Sequence, residues 1–166
     1  VARVAELGIF PLAVKPSADG SSVGVSKVER KEDLLSAWQN AQGKSGVIFA
    51  EPWITGKGEY TCAILNGQAL PMIRMETDLT FYDFDAKYLR NDTRYFCPCG
   101  LDADVEARIQ KTCEDAFNAV SGKGWGRVDL VLDQEGSPWL LEVNMSPGMT
   151  GHSLVPMAAQ ATGLGY

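Results

Sequence analysis

Long apolar runs are missing from this sequence. No stretch approaches the roughly 20 residues that cross a bilayer, and the opening Val1-Ala2-Arg3-Val4-Ala5-Glu6-Leu7-Gly8 lacks the layout of a signal peptide. No membrane association is expected, and the cytoplasm is the expected compartment, where the Asn91-Asp92-Thr93 sequon has no meaning. Histidine is scarce as well. His152 is the single one, and the four cysteines, Cys62, Cys97, Cys99 and Cys113, form no CxxC pair, so zinc finds no ligand set. The thiols read as free and structural. Positive charge is in deficit: 15 Lys and Arg against 21 Asp and Glu leave a net charge of −6. That balance excludes a nucleic-acid partner, which would need a basic surface that releases counterions. A small anion can still be held by a local nest of donors. A Walker A loop is also lacking. Gly43-Lys44-Ser45 comes nearest, but Trp38 stands where the first glycine of that motif belongs.

What remains is ordinary globular composition, 45% hydrophobic over 166 residues, enough for one or two small cores. Helical and strand patterns are mixed along the chain, as in an α+β protein. Val1 to Leu7 reads as the last turns of a helix, Leu12 to Lys15 and Val23 to Val28 as strands, and Gly46 to Glu51 as another. Between the last two, Lys31 to Gln42 carries Leu34, Leu35, Trp38 and Ala41 at helical spacing. The Gly-rich joint Thr55-Gly56-Lys57-Gly58 suggests a boundary between a first subdomain, residues 1–57, and a second, residues 58–166. In the second, Glu59 to Leu65 and Gln68 to Met75 flank Asn66-Gly67, the pair suited to a type I′ hairpin turn. Thr80 to Pro98 shows no sustained period, as a functional loop would. From Asp102 to Ser121 a helix is predicted, with Val105, Ile109, Thr112 or Cys113, Ala116 and Val120 on its buried face and Gly122 as its cap. A short helix is expected from Ser153.

The hairpin from Gly126 to Asn144 carries the chemistry. Pairing it symmetrically about Asp133-Gln134-Glu135-Gly136-Ser137 sets Asp129 opposite Glu142, Arg127 opposite Asn144 and Val131 opposite Leu140. Strand alternation then sends Val128, Leu130, Leu132, Trp139, Leu141 and Val143 to the core. The other face holds two carboxylates directly opposite each other, which repel by roughly 0.2–1 kcal/mol even when solvated. A cation relieves that repulsion, and an all-oxygen set suits magnesium, or manganese, better than zinc. Asp129, Glu142 and Asn144 therefore read as a metal site, and Val131 with Leu140 as an apolar rest for a flat ring such as adenine.

Two glycine-rich loops accompany it. Gly20-Ser21-Ser22-Val23-Gly24 follows Lys15; alone, such a loop is more often a plain hairpin turn, but the lysine and the metal-type hairpin favour an anion nest. Asn144 to Ser153 leaves the metal strand, with Gly148 open to close backbone approach and Arg127 beside it able to face an oxyanion. His152 receives no proton-transfer role.

Taken in order, Lys15-Pro16-Ser17, Gly20 to Gly24, Phe81-Tyr82-Asp83, Ala86-Lys87-Tyr88, Gly126-Arg127-Val128-Asp129 and Glu142 to Thr150 resemble the D-alanine:D-alanine ligase family. That resemblance implies the ATP-grasp fold, two α+β subdomains with mainly antiparallel sheets holding ATP between them. It implies that Lys15, Ser21, Ser22 and Lys87 contact ATP phosphates, that Glu51, Trp53 and Ile54 line the adenine hinge, that Glu59 meets the ribose, and that Phe81 belongs to the nucleotide site. Asp129, Glu142 and Asn144 become magnesium ligands. Arg127 and the Gly148 amide stabilise the oxyanion, Ser22 and Tyr88 join the catalytic set, and Tyr82, Tyr88, Ser153 and Leu154 hold D-alanine. Residues 81–88 correspond to a closing loop that shields an acyl phosphate from water.

The sequence departs from the family at Pro52, where a basic residue is usual, and at Phe84-Asp85, which replaces Tyr-Glu. Against the family, the N-terminal domain and the opening strand of the central one are expected to lie outside this sequence. The expected activity is ATP-dependent ligation of two D-alanines for peptidoglycan synthesis, by a homodimer in the full-length protein. The alternatives are a related ATP-grasp ligase using D-lactate or another amino acid, and a fragment that only binds nucleotide.

Overall fold

The computed structural model describes residues 8–20, 22–42, 46–76 and 93–165. The helix expected over Val1 to Leu7, the closing loop at residues 81–88, and the candidate residues Ser21, Phe81, Tyr82, Lys87 and Tyr88 lie outside the described residues. The chain divides into two compact units, the first including residues 8–53 and the second residues 54–76 and 94–165.

The first unit is a three-stranded antiparallel sheet covered on one side by a helix. Strands β1 (Leu12–Pro16), β2 (Ser26–Val28) and β3 (Ile48–Pro52) lie in the order β2-β1-β3. Alternation along β1 sends Leu12 and Val14 to helix α1 (Leu34–Ala41), where they pack with Val28, Leu34 and Ala37. β2 is shorter than the predicted strand because Ser22 and Gly24 have positive φ, 59° and 76°, which extended backbone does not accommodate. The predicted helix opens instead with a 3-10 turn, Lys31–Asp33. With α1 starting at Leu34, its buried stripe is Leu34, Ala37 and Ala41, and Leu35 turns out to solvent at 57% exposure.

The second unit centres on a six-stranded antiparallel sheet. Its strands are β4 (Gly56–Leu65), β5 (Gln68–Ala69), β6 (Ile73–Glu76), β7 (Arg94–Phe96), β8 (Trp125–Asp133) and β9 (Pro138–Asn144). The order is β7-β6-β4-β8-β9, with β5 paired to the end of β4. One face packs Tyr60, Cys62, Ile64, Val128, Leu130 and Leu132 against Ile109, Cys113 and Phe117 of helix α2 (Ala103–Ala119). The opposite face is covered at one end, where Ala63 and Ile73 meet Val155 and Ala158 of helix α3 (Leu154–Ala161). Cys62, Cys99 and Cys113 are buried and Cys97 half-buried, all four as free thiols.

The boundary expected between Lys57 and Gly58 falls inside β4. The glycines there serve strand pairing rather than a joint: the register with β8 shifts between Gly56 and Gly58, and Gly56 lies against the Leu132 carbonyl with no room for a Cβ. Asn66 and Gly67 have φ of 52° and 80°, as the type I′ turn requires. The strand predicted from Gln68 to Met75 is interrupted at Pro71. Across the break α2 supplies the missing partners: Glu114 accepts the Ala69 N–H at 2.9 Å, Glu106 accepts the Met72 N–H at 2.8 Å, and Gln110 Nε2 donates to the Leu70 carbonyl at 3.0 Å. These three residues are four apart and so share one helix face.

The end of α2 corrects two sequence expectations. Phe117 rather than Ala116 completes the buried stripe, and Val120 is 45% exposed. Ser121, not Gly122, takes the left-handed position, at φ 60°, while the Gly122 N–H donates to the Phe117 carbonyl and the Ser121 N–H to that of Asn118, both at 2.9 Å. Gly122 is needed for a different reason. A Cβ there, or at Gly126 on β8, would run into the fully buried Phe117 ring. Gly126→Ala is therefore expected to lower stability by about 1–3 kcal/mol in urea titrations, whereas Gly20→Ala, with nothing within 4 Å and no positive φ, should leave the midpoint nearly unchanged.

Candidate functional site

In the first unit, the face of the sheet turned away from α1 gathers charge and aromatic rings. The register pairs Ala13 with both Lys27 and Glu51, and Lys15 with Phe49, so these side chains share one side. Lys15 Nζ lies 2.5 Å from Glu51 Oε1 and 5.2 Å from the centre of the Phe49 ring. Lys27 Nζ is 2.6 Å from Glu29 and 5.6 Å from the centre of the Trp53 ring. Lys27 was not singled out in the sequence; its signal is its place in β2 opposite Ala13. In the glycine-serine loop, Val23 N–H donates to the Gly20 carbonyl and, just beyond the loop, Val25 N–H to that of Ser22, both at 3.2 Å, so the Val23 amide of the expected nest is engaged in a turn.

The second unit builds its site on the uncovered part of its sheet. Thr61 on β4, Asp129 on β8 and Glu142 on β9 are register partners across three adjacent strands, and Arg127 pairs with Asn144 one step along. Asp129 is 7% exposed and carries donors on both oxygens. Oδ1 accepts from Thr61 Oγ1 at 2.6 Å and from Arg127 Nε at 2.8 Å. Oδ2 accepts from Arg127 Nη2 at 2.7 Å and from Asn144 Nδ2 at 3.1 Å. Asn144 Nδ2 also donates to Glu142 Oε1 at 3.2 Å, so Asp129, Glu142 and Asn144 converge on one point. Burial pushes the Asp129 carboxyl up, but the bonded Arg127 guanidinium, helped by the Thr61 hydroxyl, outweighs it and holds the group below the ordinary aspartate value of 3.8.

These three side chains fit a hard divalent cation. Turning the Asn144 amide over would place its oxygen beside the two carboxylates, an arrangement that only a positive ion would make favourable. Among the described residues no group of three or more His, Cys, Asp or Glu side chains forms a metal cage. The set is two carboxylates and an amide, the sparse kind magnesium takes when phosphates supply further oxygens.

The hairpin register differs from symmetrical pairing towards the turn. Leu130 pairs with Leu140 and Val131 with Trp139, a shift falling between Asp129 and Leu130 that leaves Leu141 as the extra residue of a bulge on β9. Trp139 thus shares the face of Asp129 and Val131, and its Nε1 donates to Asp133 Oδ2 at 2.9 Å. Leu140 moves to the opposite side. Of the residues expected in the core, Trp139 and Leu141 stay out of it, at 48% and 41% exposure, whereas Val128, Leu130 and Leu132 are buried there and Val143 packs against them. Glu59 stands opposite Val131 on β4, on the face of Asp129.

Beyond β9 the chain turns through Gly148 to the start of α3. Ser153 precedes the helix, its Oγ accepting from the Thr150 N–H at 2.9 Å and lying 2.9 Å from Thr150 Oγ1. A Cβ on Gly148 would sit 3.2 Å from that Oγ. Leu154 packs on the Ala63, Ile73 and Val155 cluster, His152 is exposed, and Ile54 is half-buried at the start of the second unit. The described candidates therefore form two groups: Lys15, Glu51 and Trp53 in one unit; Glu59, Arg127, Asp129, Val131, Glu142 and Asn144 in the other.

A family model described as D-ala D-ala ligase C-terminus matches residues 1–166. The chain belongs to that family. Among curated relatives of this ligase family, the D-alanine–D-alanine ligase of Hydrogenovibrio crunogenus is 55% identical over 95% of the chain and 50% of its own length. That of Methylococcus capsulatus is 54% identical over the same shares. The chain thus spans about half the length of the curated relatives it matches. Among solved structures, the VanG D-Ala:D-Ser ligase of Enterococcus faecalis superposes with a TM-score of 0.86 at 30% identity, covering 99% of this chain and 49% of that one. The Bacillus anthracis D-alanine–D-alanine ligase complexed with ATP gives 0.80 at 32% identity, covering 100% and 53%. The fold is that of the ATP-grasp ligases, α+β with antiparallel sheets.

Within this ligase domain the Arg127–Asp129 pair is the test of the electrostatics. Its side chains are only 20% and 11% exposed, so Arg127→Met strands a buried carboxylate and should cost about 3–5 kcal/mol at pH 7. Because the folded Asp129 value is depressed, its stabilising contribution is present above the unfolded value and lost as pH falls through the folded one. The gap between wild type and variant should narrow on acidification, first as the variant's carboxyl takes up a proton and then as the wild type loses its own contribution. Urea titrations between pH 7 and pH 3 would show this; a constant gap would contradict it.

Proposed function

We propose that this chain is the ATP-binding and metal-binding part of a ligase that joins two D-alanine molecules through an acyl phosphate, supplying a peptidoglycan precursor. The observation that carries the reading is the convergence of Asp129, Glu142 and Asn144 on one point of the sheet, the two carboxylates directly opposite each other on adjacent strands. Magnesium held there, or manganese, would supply neutralisation of phosphate charge.

The chain's own residues supply the rest. Asp129 and Glu142 would give the cation carboxylate oxygens, and Asn144 its amide oxygen. Arg127, while bonded to Asp129, presents a guanidinium one strand position from Asn144, where it can meet the oxyanion formed when the second amine attacks; the Gly148 amide is the companion donor. Lys15 is placed to exchange Glu51 for a phosphate oxygen, and Trp53 offers a ring to adenine. Ser22, Ser21, Lys87 and Phe81 complete the nucleotide site, Glu59 meets the ribose, and Tyr82, Tyr88, Ser153 and Leu154 hold substrate. With the bulge in β9, Val131 has Trp139 rather than Leu140 as its direct partner, and these two are the apolar surface on the face of Asp129.

Support for the substrate comes from the D-alanine–D-alanine ligases at 54–55% identity. No helix among the described residues is long and apolar enough to cross a membrane; a cytoplasmic location and a homodimer of the full-length protein are part of the same reading.

Glu142→Gln tests the assignment. The change keeps the side chain's size and removes one of two carboxylates, so D-alanine-dependent phosphate release should fall at least about a hundredfold with the circular dichroism spectrum unchanged. Full turnover in this variant would refute the metal role.

A further inference from the structure

Two polar residues are buried in the described structure, Thr61 at 1% exposure and Asp129 at 7%, and they are bonded to each other. Thr61 sits in the middle of β4 among Tyr60, Cys62, Ala63 and Ile64, all buried and, apart from the tyrosine hydroxyl, apolar. Valine has the same shape and would bury there without a hydroxyl to satisfy. The hydroxyl has two acceptors in reach, the Asp129 carboxylate at 2.6 Å and the Val128 carbonyl at 3.5 Å, and its single hydrogen goes to the nearer, charged one.

That bond separates the roles of the two carboxylate oxygens. Oδ1 receives Thr61 and Arg127 Nε and is fully occupied on the side of β4. Oδ2 is the oxygen reached by Asn144 Nδ2, the same nitrogen that reaches Glu142 Oε1, so Oδ2 faces the convergence point. Arg127 is a long, flexible side chain on the same strand as Asp129, and its guanidinium can turn together with the carboxylate while keeping both bonds. Thr61 removes that freedom.

We propose that Thr61 is a positioning residue: by holding Oδ1 of Asp129 it keeps Oδ2 aimed at the cation shared with Glu142 and Asn144. The inference rests on the metal assignment made above. Hydroxyls that orient metal ligands in this way are worth about ten- to a hundredfold in metal affinity.

The experiment measures Mn2+ binding to the full chain in the presence of ADP, by the loss of free-ion paramagnetic resonance signal, without turnover. It compares wild type with Thr61→Val, Thr61→Ser, Thr61→Ala and Asp129→Asn. Serine, which keeps the donor, should bind like wild type, while valine and alanine should weaken Mn2+ binding by about tenfold or more. Binding that is unchanged in valine and alanine, or that is lost as fully in serine, overturns the positioning role. The serine and alanine comparison still decides if the valine variant does not fold. If Asp129→Asn also binds Mn2+ as wild type does, the metal assignment itself falls, a result distinct from failure of Thr61 alone.

Discussion

A carboxylate is held almost out of water in the middle of a β-sheet, and the arrangement of the second unit follows from keeping it there. Asp129 sits on the central strand pair, and its desolvation is offset by a two-bond guanidinium, a hydroxyl and an amide. Each donor comes from a position that strand alternation makes available: Arg127 two residues away on the same strand, Thr61 directly opposite on β4, Asn144 opposite Arg127 on β9. An ion pair of this kind is poor value as a stabilising device, since apolar residues of similar volume usually serve a core at least as well. Its presence on a sheet whose opposite face packs a largely apolar core against α2 makes sense as a ligand site.

The sheet divides its labour by face. Even-numbered positions of β4 and β8 form the core with α2, which is anchored by the Phe117 ring over Gly122 and Gly126. Odd-numbered positions form the site, and α3 covers only the end at Ala63 and Ile73. The same alternation governs the smaller sheet, where Leu12 and Val14 meet α1 while Lys15 turns to Glu51 and Phe49. The candidate binding side chains in both units are thus mounted on strands whose other face is fixed by a helix, which is how a rigid site is built.

Much of this could be read from the chain, though not always for the reason given. Counting symmetrically across the hairpin placed Asp129 against Glu142 and Arg127 against Asn144, and the structure agrees. Yet near the turn the true pairing is tighter by one residue, Val131 with Trp139, and the bulge at Leu141 restores the count before Asp129 is reached. Two offsets cancel at the metal residues and not at the apolar ones. A bulge leaves no mark in hydrophobic alternation, because Trp139-Leu140-Leu141 is apolar in either register. Similarly, Gly56 and Gly58 signalled a joint when they flank a register shift within β4, Gly56 packed closely against β8, and Leu35 was placed inward because the 3-10 turn before α1 was not foreseen. Thr61 went unnoticed in an apolar strand, although a hydroxyl within such a run always needs a partner.

The central claim is that the polar face around Asp129 binds a divalent cation together with an adenine nucleotide. Calorimetric titration of ADP into the protein, once with magnesium and once with a chelator, tests it most directly. Binding at least about tenfold tighter with magnesium, a gain of about 1.4 kcal/mol, and selective for ADP over GDP, is the predicted result. An ADP affinity indifferent to magnesium would contradict the account.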